Sequence, residues 1–103
     1  MAAPVYNKSE LIVLLRANKE KIRSFGITKL SLFGSFASNK MQAESDVDFL
    51  VEFDPSMKTY DNFMDLSFFL EDLLGRKVEL VTIQSLSKHI GPYILKQAEH
   101  VRL

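Results

Sequence analysis

At 103 residues and 47% apolar, the chain has the size and composition of one folded domain, which excludes a disordered segment. Lys plus Arg and Asp plus Glu number 13 each, so the net charge is zero, which argues against a strongly basic nucleic-acid binder and leaves only a local basic patch open. There is no cysteine, which removes disulfides, thiol catalysis and thiolate metal sites, and leaves oxygen and imidazole as ligands for any metal.

In chain order, the first apolar run, Leu11 to Leu15, is closely flanked by charges. It is too short to span a bilayer and lacks the basic segment that opens a signal peptide, so cytoplasmic residence without membrane association is expected. Residues 8–25 read as one amphipathic helix: Asn7 and Glu10 form a capping-box pattern, and Leu11, Leu14, Leu15 and Ile22 recur at helical spacing. Gly26 sits where a left-handed residue ends a helix. "TKLSLF", Thr28 to Phe33, alternates as a first strand and stops at Gly34. "SDVDFLVEF", Ser45 to Phe53, is the second strand, apolar on both faces beyond its aspartates as a central strand is. After a turn at Asp54 to Ser56, Asp61 is placed to cap a helix, "NFMDLSFFLEDLL", which Gly75 ends. "KVELVTI", Lys77 to Ile83, is a third strand; Ser85 is suited to cap a short turn, and Pro92, after Gly91, starts a last helix. The order αβ–βαβ–α predicts a single α/β (α+β) domain over residues 1–103, a small mixed sheet with helices packed on it.

Three features carry chemistry. Asp46 and Asp48 are two residues apart, so on a strand they point to one face about 7 Å apart, a spacing at which both can reach one cation or a pair. Magnesium suits them, because it takes hard oxygen ligands and is commonly held by one or two carboxylates with phosphate oxygens. Such an Asp-x-Asp is also what an ordinary solvated strand end looks like. Gly34 and Ser35 form a strand-to-helix turn that exposes backbone N–H groups to an anion, with glycine permitting close approach and the Ser35 hydroxyl adding a donor. The bland alternative is a plain turn glycine. Glu79, in the apolar strand "KVELV", either joins the aspartates, if the strands are neighbours, or faces solvent. Together the three specify metal-dependent phosphoryl or nucleotidyl transfer, in which cations clamp a triphosphate and neutralise charge as pyrophosphate leaves.

Gly34-Ser35, ten residues, then Asp46-Val47-Asp48 resembles the minimal nucleotidyltransferases of the DNA polymerase β-like superfamily, and "SLFGSFA" with "SDVDFLVEF" extends the resemblance over most of the chain. The resemblance implies a nucleotidyltransferase (polymerase β palm-like) fold. It implies that Gly34 and Ser35 contact nucleotide phosphates and that Asp46 and Asp48 ligate one or two Mg2+ ions. Glu79 stands where the family usually has a third aspartate that binds metal and activates the acceptor hydroxyl. Many such proteins are antitoxins encoded beside a HEPN-domain toxin, and that branch transfers AMP from ATP to a tyrosine hydroxyl of the toxin. The family often continues its turn as Ala-Arg-Gly; here Ala37-Ser38-Asn39 follows, leaving Lys40 to supply the positive charge near the phosphates.

Two further readings stand beside this one. A non-catalytic antitoxin would neutralise its partner by occupying its surface, and the catalytic half of a split transferase would act on a small molecule. His89 and His100 read as surface or helix-end residues, and Ser38, Ser45 and Ser56 as turn residues. The aromatic cluster Phe63, Phe68 and Phe69 reads as core, although Phe68 falls toward another side of its helix from Leu66, Phe69, Leu70 and Leu73, where it is alternatively suited to dock a partner. A neutral chain with an acidic site has no means of attracting long nucleic acid by charge. The oligomeric state stays open, a homo-oligomer included.

Overall fold

Leu11 and Leu15, one helical turn apart, are both fully buried in the computed structural model, which describes residues 4–86, 88–89 and 91–103. They lie on α1 (Lys8–Ala17), whose first turn is closed by the Asn7 side chain accepting from the Glu10 N–H at 2.8 Å. The Glu10 carboxylate in turn accepts from the Tyr6 N–H at 2.8 Å. The expected single helix over residues 8–25 is two helices, α1 and α2 (Lys19–Arg23). Asn18 separates them: its side-chain amide donates to the Leu14 carbonyl at 2.9 Å, and its backbone leaves helical geometry at φ −115° and ψ 22°. Asparagine competes in this way with the backbone ladder and so favours breaks.

Strand β1 (Ile27–Phe33) runs into α3 (Gly34–Ala37), a single turn; β2 (Val47–Phe53), α4 (Tyr60–Leu74) and β3 (Val78–Thr82) follow. A 3-10 turn at Ile83–Ser85 and helix α5 (Gly91–Gln97) lead to β4 (Glu99–Val101). Ser85 closes that turn from its last position, its hydroxyl donating to the Thr82 carbonyl at 2.8 Å, rather than capping it. The four strands form one mixed sheet in the order β3-β2-β1-β4, with β2 and β3 parallel and the other pairs antiparallel. The mixed sheet agrees with the sequence reading, but β4 is a strand the sequence reading lacked. Its three residues carry no alternation long enough to read, and pairing of Val101 with Leu30, where Val101 is buried, makes it a strand.

Residues paired across strands share a sheet face, and alternate residues change face. The face carrying Leu30, Leu32, Phe49, Val51, Val78 and Val101 is buried together with Leu11, Leu15 and Ile22 of the first helices and Leu66, Leu70 and Leu74 of α4. Phe69 packs against this core and lies obliquely on Phe25 with centroids 5.7 Å apart, whereas the half-buried Phe63 lies on Phe53, itself packed on the core, at 6.4 Å. Phe68 is 58% exposed, so it is not part of the core as expected of the aromatic cluster: it falls outside the stripe of Leu66, Leu70 and Leu74 that α4 buries. The opposite sheet face bears the rows Phe33–Asp48–Glu79 and His100–Ser31–Leu50–Val81.

The cap of α4 differs from the expectation. Thr59, in extended geometry, accepts from the Asn62 N–H at 3.1 Å, and Asp61 lies inside the first turn, where its charge complements the helix dipole. Gly75 ends the helix at φ 66°, as read. Thr59→Ala should therefore cost about 1 kcal/mol of stability and lower Tm by about 4–8 °C, whereas Asp61→Ala, which keeps the capping bond, has the smaller effect; thermal melts of the two variants compare them.

Candidate active site

Antiparallel pairing places Phe33, the last residue of β1, opposite Asp48 in β2. The chain then turns at Gly34 with φ 73°, in the left-handed region. A Cβ on Gly34 would lie 2.2 Å from Asp48 Oδ2. Glycine is thus required twice at this position, for its dihedral and for the carboxylate lying against its Cα. The two sequence motifs, Gly34-Ser35 and Asp46-Val47-Asp48, are in direct contact.

Beyond Gly34 the turn is tightly bonded. The Gly34 carbonyl accepts from the Ser38 N–H at 3.1 Å and from the Ser38 hydroxyl at 3.2 Å, and the Ser35 carbonyl accepts from the Lys40 N–H at 2.8 Å. Asn39 takes φ 61°, in the left-handed region that asparagine enters more readily than most residues. The Ser38 side chain folds back onto the turn, its hydroxyl donating to the Gly34 and Ser35 carbonyls, and brings no charge. Lys40 is fixed through its backbone and its side chain is exposed.

Asp48 is half-buried on β2, and parallel register places Glu79 directly beside it on β3, about 4.8 Å away strand to strand. Asp46 lies one residue before β2 rather than in it, because pairing with β3 begins at Val47↔Val78. Asp46 and Glu79 are exposed. The Asp48 carboxyl is pushed up from the ordinary 3.8 to about 6, first by burial and then by the neighbouring charges of Asp46 and Glu79. Among the described residues, no three acidic or imidazole groups stand close enough to form a ready-made metal cluster. The donor set nevertheless fits a hard divalent cation: the exposed Asp46 and Glu79 carboxylates act on Asp48, whose ionised form is disfavoured first by burial and then by these negative neighbours.

One residue beside the site escaped the sequence reading. Arg76, between the Gly75 cap and β3, is buried, and its Nε donates to the Val5 carbonyl at 2.6 Å. Its Nη1 faces the carbonyls of Gln42, Ala43 and Ser45 at 3.2, 3.0 and 3.0 Å. Its acceptors are backbone atoms distant in sequence, so residue types gave no signal for it.

The raised Asp48 pKa means that the folded chain holds this proton more tightly than the unfolded chain. Stability therefore falls as pH rises from about 4 to about 6 and is flat above that. Asp48→Asn should raise stability at pH 7.5 by about 1–2 kcal/mol, allowing for the partial exposure of the site, and the gain should disappear below about pH 4; denaturant melts at both pH values measure it. Gly34→Ala has the opposite effect, a loss of at least about 1–2 kcal/mol from the left-handed backbone alone, read by the same melts.

Residues 11–102 match the family model of the nucleotidyltransferase domain. Over 95 residues the chain is 36% identical to the protein adenylyltransferase MntA of Thermococcus cleftensis, with 89% of this chain and 93% of that protein covered. The fold is similar to that of a protein described as a minimal nucleotidyltransferase, with TM-score 0.81 and 26% identity over 98% of this chain and all (100%) of that one. It is also similar to a chain in a crystal structure of a toxin-antitoxin with AMP-PNP, with TM-score 0.65 and 25% identity over 94% of this chain and 73% of that one. With the motifs in contact on one sheet face and the match running through nearly the whole sequence, the chain belongs to the nucleotidyltransferase domain family.

Proposed function

We propose that this chain is a protein adenylyltransferase of the antitoxin type, which uses Mg2+ and ATP to place AMP on a tyrosine hydroxyl of a HEPN-domain toxin. The observation that carries this reading is the row Phe33–Asp48–Glu79, with the Asp48 carboxylate packed against the Gly34 turn. It joins an anion-accepting turn to a cation-accepting set of acids, as a magnesium–triphosphate substrate requires. The 36% identical relative is named a protein adenylyltransferase, and the structurally similar toxin-antitoxin chain is crystallised with AMP-PNP, which supports the nucleotide.

Asp46, Asp48 and Glu79 are the groups that hold Mg2+, and Gly34 and Ser35 those that receive the phosphates. Lys40, the one cation between Gly34 and Ser45, is the charge available to the triphosphate. When bound, magnesium neutralises charge on the transferring phosphoryl group and on the leaving pyrophosphate. The acceptor oxygen bonds to the α-phosphorus, the bond from that phosphorus to the bridging oxygen of the β-phosphate breaks, and pyrophosphate departs. The acceptor's proton passes to the exposed Glu79 carboxylate, which exchanges it with solvent. The rest of the chain's contribution is positioning on a rigid sheet. Cytoplasmic residence fits a consumer of ATP, and among the described residues no helix is long and apolar enough to cross a membrane.

A second reading, neutralisation by binding alone, is favoured by the exposed aromatics Tyr60 and Phe68 on α4, at 77% and 58%. One experiment separates the two. The protein is incubated with Mg2+, α-labelled ATP and the product of its neighbouring gene. Label should move to the partner, and Asp46→Asn and Asp48→Asn should each lower the rate by at least about a hundredfold. Transfer by Asp46→Asn equal to wild type overturns the adenylyltransferase reading. An Asp46→Asn/Asp48→Asn double variant that transfers nothing yet protects cells fully establishes binding alone as sufficient.

A further inference from the structure

A buried arginine ordinarily meets a carboxylate, because a desolvated charge is costly when unpaired. Arg76 is 8% exposed, and among the described residues no carboxylate lies within ion-pair distance of it. Its charge is met instead by backbone carbonyls, Val5 at Nε and three at Nη1, with the segment Gln42 to Ser45 curled around that one nitrogen.

The segment it gathers leads directly into the site. Ser45, whose carbonyl Arg76 binds, precedes Asp46, and the Val47 N–H that follows Asp46 donates to the Lys77 carbonyl at 2.9 Å. The Gln42–Ser45 turn also closes on itself, the Ser45 N–H donating to the Gln42 carbonyl at 3.1 Å and the Gln42 N–H to the Ser45 hydroxyl at 2.7 Å. Asp46 lies outside any strand, so the bonds made by residues 76 and 77 are what tie that turn and the backbone on both sides of Asp46 to the start of the β3 segment. The same two residues immediately precede β3, which carries Glu79. On its other side the guanidinium lies 5.1 Å from the centroid of Phe36, the buried residue next to Ser35 in the Gly34 turn. One cation therefore touches the turn, the approach to the acids and the start of the Glu79 strand.

We infer that Arg76 is a positioning residue for the carboxylate site: it sets Asp46 relative to Asp48 and Glu79, and holds that arrangement in register with the Gly34 turn. The inference rests on the proposed role of those acids in holding a cation. Lysine cannot take its place, since a single ammonium lacks the planar fork that reaches Val5 on one side and three carbonyls on the other.

The test compares wild type with Arg76→Lys and Arg76→Met in the full chain, using thermal melts, amide hydrogen exchange, Mn2+ binding without nucleotide, and labelled-AMP transfer. Arg76→Lys should stay folded, exchange the amides of Ala43 to Asp46 at least about tenfold faster, and bind Mn2+ at least about tenfold more weakly, with Arg76→Met weaker still. In transfer, kcat should fall by about the same factor while KM for ATP stays within about threefold, the signature of misplaced acids rather than lost nucleotide contacts. Folded variants with wild-type Mn2+ affinity and wild-type exchange overturn the inference. Failure of both variants to fold overturns it too, because Arg76 would then serve the whole fold. If wild type transfers no AMP but its Mn2+ binding still depends on Arg76, the proposed function fails and this inference stands.

Discussion

The Asp48 carboxylate occupies the space in which a side chain at residue 34 would begin, and most of the site follows from that contact. The approach is possible only because residue 34 is glycine and because φ 73° swings the chain out of β1 at that point. It also requires the β1–β2 register, since a slip of one residue would send Asp48 into the core face and Val47 or Phe49 to the site. The register in turn is held by the apolar residues of the other face, Leu30, Leu32, Phe49 and Val51, which have no alternative burial. The core thus positions the site without any core residue taking part in it. The same closeness desolvates Asp48 and, with Asp46 and Glu79 beside it, makes its ionised form unfavourable in the folded chain.

Much of this was legible in the residues, and the reasons are local. Leu11 and Leu15, Gly75 and the alternation through "SLF" each report a rule that acts over a few residues, and each element they predicted exists. What escaped depends on partners far along the chain. β4 exists because Val101 finds Leu30, and three residues give no period to read. Asn18 divides the first helix through one side-chain bond that helical spacing cannot weigh. Thr59 rather than Asp61 caps α4, because which of two capable residues caps is decided by where the chain turns. The placement of Glu79 needed strand order: only the parallel β2–β3 pairing distinguishes a neighbour of Asp48 from a solvated acid. Arg76 lay furthest from view, since its acceptors are carbonyls that every residue possesses.

Two expected departures from the family pattern take on different weights in the structure. The turn does not suffer from Asn39, which adopts φ 61° as asparagine does more readily than most residues. The loss of arginine at Ser38 is not compensated in the same way, because the serine hydroxyl is directed to the Gly34 and Ser35 carbonyls. The turn therefore has its left-handed residue but no charged side chain at residue 38, which leaves Lys40 as the cation within reach by sequence.

Glu79 can be weighed by the same geometry. β3 is an edge strand of the sheet, and Glu79 is exposed, so the extra methylene of glutamate has open space in which to bend and bring its carboxylate back toward Asp48. Asp48 has no such freedom. It sits on a central strand against the Gly34 Cα, and one more methylene there would have to enter space the turn already fills. The chain carries its longer acid at the one of these two paired positions where length costs little, and its shorter acid where length would displace the turn. Seen this way, Glu79 is compatible with a working site, and the geometry that limits the site is concentrated at Gly34, Asp48 and the backbone that Arg76 gathers before Asp46.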